Sequence, residues 1–204
     1  MTIQSTENKI LVAAEKEFLR IGYAAARTTT IADAAGVTHA MLHYYFRTKE
    51  KLFEKVIESK MELIRDMMLG SLVAPDVPLF KKLETAVSNH LAFLAANPDL
   101  PRFFVNEICT DPSKMETVTE FIRTNAGKVS EALQAQLDKE VSEGLCRKTD
   151  ARMLLLDILS LNAFAFIASP LVNLVCGDIM ENRDAFIEMR KKETLDLIMR
   201  KLKP

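Results

Sequence analysis

Residues 28–53, TTTIADAAGVTHAMLHYYFRTKEKLF, decide the fold of the N-terminal region. Apolar residues recur at helical spacing on both sides of Gly36-Val37, and Gly36 can make the sharp turn that joins two short helices. Thr38 belongs to the residue types that cap a helix N-terminus, so the second helix should start there and end near Phe46. Two short helices joined in this way form a helix-turn-helix unit.

The two faces of this predicted hairpin differ in chemistry. Close packing needs small or apolar residues on the inner side, which are Ile31, Ala34, Ala35, Val37, Leu42 and Phe46. The outer side then presents Thr38, His39, Ala40, Met41, His43, Tyr44 and Tyr45. Such a helix fits a DNA major groove, which is about 12 Å wide, and these side chains would contact the bases. The alternative is an ordinary hairpin of a helical bundle, with the histidines and tyrosines half-buried.

Composition and periodicity predict an all-α protein. The 204 residues include only 6 Gly and 7 Pro, and 49% are hydrophobic, which is enough for a substantial core. About nine helices are predicted, over residues 7–22, 28–35, 38–46, 49–72, 79–96, 100–109, 113–143, 150–168 with a broken piece to 176, and 181–202. We place a domain boundary near residue 48, with the long helix at 49–72 shared between residues 1–48 and 49–204.

Charge and cysteine content narrow the function classes. Residues 1–60 carry nine Lys/Arg against seven Asp/Glu, and the remainder carries 18 against 21, so a nucleic-acid partner would bind the N-terminal end. Cys109, Cys146 and Cys176 lie far apart without CxxC spacing, which favours a reduced cytoplasm and indicates neither a disulfide framework nor a metal site. We expect no cofactor. Residues 1–10 show no secretory signal pattern, so a cytoplasmic location is expected.

Two other classes of protein are disfavoured. The sequence contains no HExxH, no GxSxG and no glycine-rich phosphate loop, so we expect that the protein is not an enzyme. Residues 158–177 carry no charge over a length that could span a bilayer. Because Asn162, Ser169, Pro170 and Asn173 interrupt this stretch, we interpret it as buried in protein and expect no membrane partner.

The motifs Gly22-Tyr23, IADAAGV at 31–37 and LHYYFRTKEKLF at 42–53, at these separations, resemble the N-terminal domain of the TetR family of bacterial repressors. The resemblance covers about residues 9–53, whereas the rest of the chain shows only a pattern of helices. It implies that residues 1–48 are a DNA-binding domain and residues 49–204 a ligand-binding and dimerisation domain. It also implies a repressor that a small-molecule effector releases from a palindromic DNA operator.

The resemblance also assigns DNA contacts to particular residues. It places the start of the second helix, Thr28 and Thr29, on the operator, together with positions Thr38, His39, Ala40, Met41, His43 and Tyr45 of the third helix. It places Lys49 on a DNA phosphate, and a cation beside a helix N-terminus is a sound anion site. Arg27 and Arg47 add positive charge for phosphates. The sequence departs from the common pattern at Arg27, His39, Ala40, Met41 and His43, and the contact surface is less cationic than usual.

A homodimer is expected because a single unit of this size with few cations would bind DNA weakly. The last two long helices, about 150–168 and 181–202, are suited to a four-helix interface across a two-fold axis. In the final helix the residues for this interface are Phe186, Ile187, Leu195, Ile198 and Leu202. The alternative is that both helices are core helices of a monomer.

A ligand pocket is predicted where polar residues interrupt apolar helix faces. A buried polar group without a partner is costly, so His90, Glu107, Asn125 and Asn162 each need a mate or a bound molecule. The neighbouring adaptable apolar residues are Met61, Met68, Phe93, Phe104, Phe121 and Phe166. The expected ligand is a mostly apolar small molecule. Alternatively, these residues are core packing and the C-terminal domain recruits a protein partner without sensing a ligand.

Overall fold

The computed structural model of the protein describes residues 5–74, 77–177 and 181–204. Residues 1–4, which are part of the segment 1–10 that was compared with a secretory signal, lie outside the described residues. Within these ranges the fold is all-α, which confirms the predicted class. The helices are α1 (Thr6–Ala25), α2 (Thr28–Ala35), α3 (His39–Phe46), α4 (Lys49–Leu72), α5 (Leu79–Ala96), α6 (Leu100–Phe103), α7 (Pro112–Ser142), α8 (Ala151–Ile167), α9 (Ser169–Cys176) and α10 (Arg183–Leu202). A π-helical segment, Phe104–Cys109, follows α6 directly, so residues 100–109 are helical as predicted, but their second part is π-helical.

Packing divides the chain into two compact units. The N-terminal unit comprises Met1–Leu63 and Phe103–Val118, and the C-terminal unit comprises Ile64–Arg102 and Thr119–Pro204. Helix α4 contributes residues to both units, as expected of a shared helix. The segment Phe103–Val118 joins the N-terminal unit from far along the chain, which no local sequence pattern indicates. The functional boundary near residue 48 stays a prediction.

Helix α1 is interrupted close to its end. The Ser5 hydroxyl caps its N-terminus, and Gly22 has φ 78° and ψ 166°, a conformation that residues with a Cβ avoid. The helix is therefore broken at the residue where the sequence predicts its end. Its buried face consists of Ile10, Ala13, Ala14 and Phe18.

Helices α2 and α3 form the predicted hairpin. Gly36 lies in the left-handed region at φ 66°, and its N–H donates to the carbonyls of Ala32 and Asp33 in α2. The Thr38 hydroxyl accepts a hydrogen bond from the Met41 N–H at 3.2 Å, which confirms Thr38 as the N-cap of α3. Ala34, expected on the inner side, is exposed, and Ala32 is buried in its place. The inner residues Ile31, Leu42 and Phe46 are buried as predicted.

The C-terminal unit has a continuous aliphatic core. Helix α5 lies against both α8 and α10. Core residues include Leu83, Val87, Leu91, Leu133, Leu137, Leu154 and Ile158. Phe186, Ile198 and Leu202, which were expected to face a second copy of the chain, also belong to this core, so that assignment is wrong. Helical periodicity identifies an apolar face but not which partner covers it.

Helices α8 and α9 are rich in apolar residues, as membrane-spanning helices are. Among the described residues, no single helix is long and apolar enough to cross a bilayer. Ala151–Ile167 and Ser169–Cys176, bent by 84° relative to each other, satisfy the length and composition criteria only as a pair.

Candidate nucleic-acid interface

The outer face of α3 is exposed along its whole length. Tyr44 is 74% exposed, and Met41 and Tyr45 are each 41% exposed. All seven residues predicted to face DNA from this helix are exposed: Thr38, His39, Ala40, Met41, His43, Tyr44 and Tyr45. Arg27 and Thr29 are exposed as well, and Thr28 and Lys49 are half-buried. Large apolar and aromatic surface left in water on one helix is typical of a binding face.

Two histidines organise the polar part of this face. His39 Nε2 lies 3.0 Å from Thr28 Oγ1, which connects the start of α3 with the start of α2. The rings of His39 and His43 meet edge to face with their centroids 4.5 Å apart. His43 Nδ1 lies 2.8 Å from the carbonyl oxygen of Arg47, and because a carbonyl only accepts, Nδ1 carries the proton. In the neutral ring, Nε2 of His43 is then a hydrogen-bond acceptor, suited to the amino groups that adenine and cytosine present in the major groove.

Arg47 ends α3 in a strained conformation. Its φ of 53° and ψ of −52° lie close to those of a γ-turn with a positive central φ, and the Thr48 N–H donates to the Phe46 carbonyl across it. Among the described residues, Arg47 is the one non-glycine residue with positive φ. The same turn brings the Arg47 carbonyl back onto His43, so the strained backbone also fixes a side chain of the exposed face.

Lys49, predicted to contact a DNA phosphate, has intramolecular partners in this structure. Its Nζ donates to the carbonyl oxygen of Ala24 at 3.2 Å and lies 4.6 Å from the centre of the Tyr23 ring. A carbonyl and an aromatic ring are both neutral partners for this ammonium. Lys49 is therefore held in place by the end of α1.

The C-terminal unit contains a buried polar cluster. Asn162 Nδ2 lies 3.4 Å from the Val87 carbonyl and 3.3 Å from His90 Nδ1, and Thr194 Oγ1 lies 3.1 Å from Asn162 Oδ1. Since the Val87 carbonyl only accepts, the amide nitrogen faces it, and His90 Nδ1 accepts the second amide hydrogen. His90 is thus neutral with its proton on Nε2. Burial lowers the pKa of His90 to about 4, in agreement with a neutral ring.

A small cavity lies beside this cluster. Its volume is about 20 Å³, room for a single water molecule. The lining residues are Met67, Met68, Ser71, Leu72, Ala86, His90, Leu155, Ile158 and Leu159. The lining is mostly apolar, with the Ser71 hydroxyl and the His90 ring as its polar groups.

The ten residues predicted for the ligand pocket are only partly brought together. Met68 and His90 line the cavity, and Asn162 contacts His90. The other members in the C-terminal unit are Phe93, Phe121, Asn125 and Phe166, and Asn125 donates to the Phe121 carbonyl at 2.8 Å. Met61, Phe104 and Glu107 belong to the N-terminal unit, where Glu107 pairs with Lys114 at 3.3 Å.

Sequence reasoning missed several residues that contact these sites. Thr194 completes the polar cluster, and Ser71 lines the cavity. Tyr23 contacts Lys49 and Lys114, although it stands in one of the quoted motifs. Thr194 lies on a mainly charged helix, so no periodicity distinguishes it.

An exposed polar and aromatic α3, joined to α2 by a tight glycine turn, defines a helix-turn-helix protein of the DNA-binding class. Residues 10–56 match the family model described as "Bacterial regulatory proteins, tetR family". The chain is also 33% identical over 99 residues to the HTH-type transcriptional repressor SCO4008 of Streptomyces coelicolor, an alignment that covers 48% of this chain and 47% of the relative. The aligned part thus spans about half the length of that curated relative. Residues 10–56 of the chain therefore match the N-terminal domain of the TetR family of bacterial regulators.

Solved structures with the same fold extend the similarity to the whole chain. FadR from Bacillus subtilis, in complex with stearoyl-CoA, has a TM-score of 0.68 at 18% identity, covering 93% of this chain and 96% of that one. The fatty acid degradation regulator FadR from Bacillus halodurans has a TM-score of 0.65 at 21% identity, covering 96% and 97%. Identities this low establish the shared fold alone.

Proposed function

We propose that the protein is a transcriptional repressor that binds a palindromic DNA operator as a homodimer and is released by a mostly apolar small molecule. The observation that carries the proposal is the exposure of α3, from Thr38 to Tyr45, with its apolar side packed inward. Thr28, Thr29 and Arg27 extend this face from the start of α2, and Lys49 adds a cation for the phosphates.

The direct test of DNA binding is selection of bound duplexes from a random pool, followed by titration of the enriched duplex at several salt concentrations. We expect a palindromic sequence and a steep loss of affinity with salt, because bound phosphates release counterions. Tyr44→Ala should weaken binding about tenfold, because it removes an aromatic ring from the face predicted to contact DNA. This ring is exposed and has little role in the core. Val12→Ala, an exposed apolar position on α1, is the matched control and should bind as wild type does. A wild-type protein that prefers no duplex over bulk competitor contradicts the proposal.

The dimer part of the proposal is supported by apolar residues exposed on α8 and α10. Six large apolar side chains of these helices are between 37% and 59% exposed. They are Met153, Leu156, Leu159, Phe164, Met189 and Leu197. An apolar surface of this kind on two neighbouring helices is suited to a self-complementary two-fold interface.

The ligand part of the proposal is supported by the cavity beside His90. Drug-sized ligands need pockets of roughly 300–1,000 Å³, so the cavity of about 20 Å³ has to widen before a ligand enters. Met67 and Met68 line it, and methionine side chains are adaptable enough to move aside. A ligand that prefers the widened state would shift the population of conformations through the shared helix α4.

The B. subtilis regulator with this fold binds stearoyl-CoA, so we propose a long-chain acyl compound as the ligand class. A thermal-shift screen should include long-chain acyl-CoA thioesters, the free fatty acids and short-chain controls. Ligand binding to the native state raises the melting temperature, and the increase should depend on chain length. His90→Phe, which fills the cavity and removes its polar nitrogen, should abolish the increase.

A second candidate function is recruitment of a protein by the C-terminal unit without a ligand. It is supported by α9, on which Leu174 is 82% and Val175 is 74% exposed. The same screen separates the two candidates, because protein recruitment predicts that no acyl compound changes the melting temperature.

A further inference from the structure

Two ammonium groups approach the same aromatic ring in the N-terminal unit. Lys49 Nζ lies 4.6 Å and Lys114 Nζ 4.8 Å from the centre of the Tyr23 ring. Both distances are inside the range of cation–π attraction. The two cations also repel each other, because they lie no farther apart than about one Debye length, ~10 Å at 0.1 M salt. A negative charge nearby would reduce this repulsion.

Lys114 pairs with two carboxylates, and the charges of Glu50 and Glu54 also act on Tyr23. Lys114 Nζ lies 3.3 Å from Glu107 Oε2 and 3.5 Å from Asp111 Oδ2, and the side chains of Lys114 and Glu107 are only 21% and 22% exposed. Lys49 instead donates to the neutral carbonyl of Ala24. Of the two cations on Tyr23, Lys114 forms ion pairs within the protein, whereas Lys49 contacts a neutral carbonyl and the ring.

The Glu107 carboxylate lies close to Gly22, the residue at which α1 is broken. The φ of Gly22 requires glycine, and a Cβ there would lie 2.5 Å from Glu107 Oε1, so the carboxylate would have to shift. Glu107 itself lies in the π-helical segment, a rare geometry that occurs often at functional sites. Two backbone irregularities far apart in sequence thus meet at one carboxylate.

We propose that Glu107 and Lys114 are positioning residues for DNA binding: their ion pair fixes the Tyr23 ring, and Tyr23 holds the Lys49 ammonium where it meets a DNA phosphate. Lys114 also lies 5.3 Å from the centre of the Phe53 ring, which packs edge-on against Tyr23 at 4.7 Å. One ammonium therefore orders both rings. The proposal rests on the DNA-binding function proposed above.

The test is a charge-compensation cycle measured as operator affinity. Lys114→Met keeps the apolar stem but leaves the Glu107 carboxylate without its nearest cation and free to attract Lys49. We expect about a tenfold loss of affinity and a salt dependence reduced by roughly one phosphate contact. The double variant Lys114→Met with Glu107→Gln removes the orphaned charge and should bind within about threefold of wild type, and Lys114→Arg should bind as wild type does.

The N-terminal unit offers a matched control. Lys60 Nζ lies 2.5 Å from Glu15 Oε1 with side chains 13% and 25% exposed, so Lys60→Met changes the net charge equally and breaks a comparable ion pair away from Tyr23. It should change operator affinity by less than about threefold. Equal losses in Lys114→Met and Lys60→Met, or no recovery in the double variant, overturn the positioning role.

A second measurement does not depend on DNA. Burial raises the pKa of Tyr23, and the charge of Lys114 opposes this increase. In a background with Tyr44→Phe and Tyr45→Phe, the ultraviolet titration of Tyr23 should move to higher pH in Lys114→Met but not in Lys60→Met. An unshifted titration overturns the Lys114–Tyr23 contact, whereas a wild-type protein without duplex preference overturns the DNA-binding function itself.

Discussion

Thr28 and His39 contact each other across the helix-turn-helix: Thr28 Oγ1 lies 3.0 Å from His39 Nε2. One residue starts α2 and the other starts α3, so a single contact sets how two predicted DNA-contacting positions are spaced. His39 in turn packs against His43, which the Arg47 carbonyl holds. The exposed face of α3 is thus ordered by hydrogen bonds before DNA arrives, and such preorganisation reduces the entropy lost on binding.

Thr28→Val removes the hydroxyl and keeps the shape of the side chain. We expect about a fivefold to tenfold loss of operator affinity, because the His39 ring loses the partner that orients it. The free energy of unfolding should change by less than about 1 kcal/mol, since the contact is exposed. Thr30→Val on the same helix is the control for both measurements. Unchanged affinity in Thr28→Val would show that Thr28 does not orient His39 for binding.

Arg47→Gly should stabilise the protein by about 1 kcal/mol, because glycine adopts a positive φ without the strain that a Cβ causes. Chemical denaturation measures the effect. Arg27→Gly is the matched control: Arg27 is also an exposed arginine beside a short helix, but its φ is −118°, so glycine there should not stabilise. The prediction fails if both glycine variants lose stability to the same extent.

The fold was largely predictable because its signals are local. The bounds of α2, α4 and α5 agree with the prediction, and Thr38 and Gly36 perform the roles that their residue types indicate. An N-cap needs a side chain that accepts a backbone hydrogen bond, and a left-handed C-cap favours glycine. Both requirements are visible in a sequence.

The remaining features depend on contacts between residues distant in sequence. The Glu107–Lys114 pair reaches Gly22 and Tyr23 only in the folded N-terminal unit. The local sequence Gly22-Tyr23 does not predict a contact with a carboxylate some eighty residues later in the chain. The same limit explains the last helix: its apolar residues were recognised, but whether the core or a second copy covers them is decided by tertiary packing.

His90 makes stability depend on pH. Its folded-state pKa of about 4 lies below the ordinary 6.5, so the unfolded chain binds more protons between these values. The contribution of His90 to the free energy of unfolding is complete above pH 6.5. It is lost as the pH falls toward 4, by about 3 kcal/mol in all. Free energies of unfolding measured from pH 7 to pH 4.5 should fall less steeply for His90→Gln than for wild type. Parallel profiles would mean that folding does not shift the pKa of His90.

Leu156→Glu should dissociate the proposed dimer without unfolding the chain. Leu156 is 53% exposed on α8, so a carboxylate there stays hydrated in the monomer but would be buried without a partner between two copies, which costs several kcal/mol. Sedimentation velocity at micromolar concentration should show a dimer for wild type and a monomer for the variant.

Leu63→Glu is the matched control, because Leu63 is 50% exposed on α4 and lies in the N-terminal unit. It should remain dimeric and retain the wild-type melting temperature. Operator affinity should fall in Leu156→Glu because one recognition unit makes half of the contacts. A monomeric wild type contradicts the proposed dimer, and a Leu156→Glu variant that stays dimeric places the interface elsewhere than on α8.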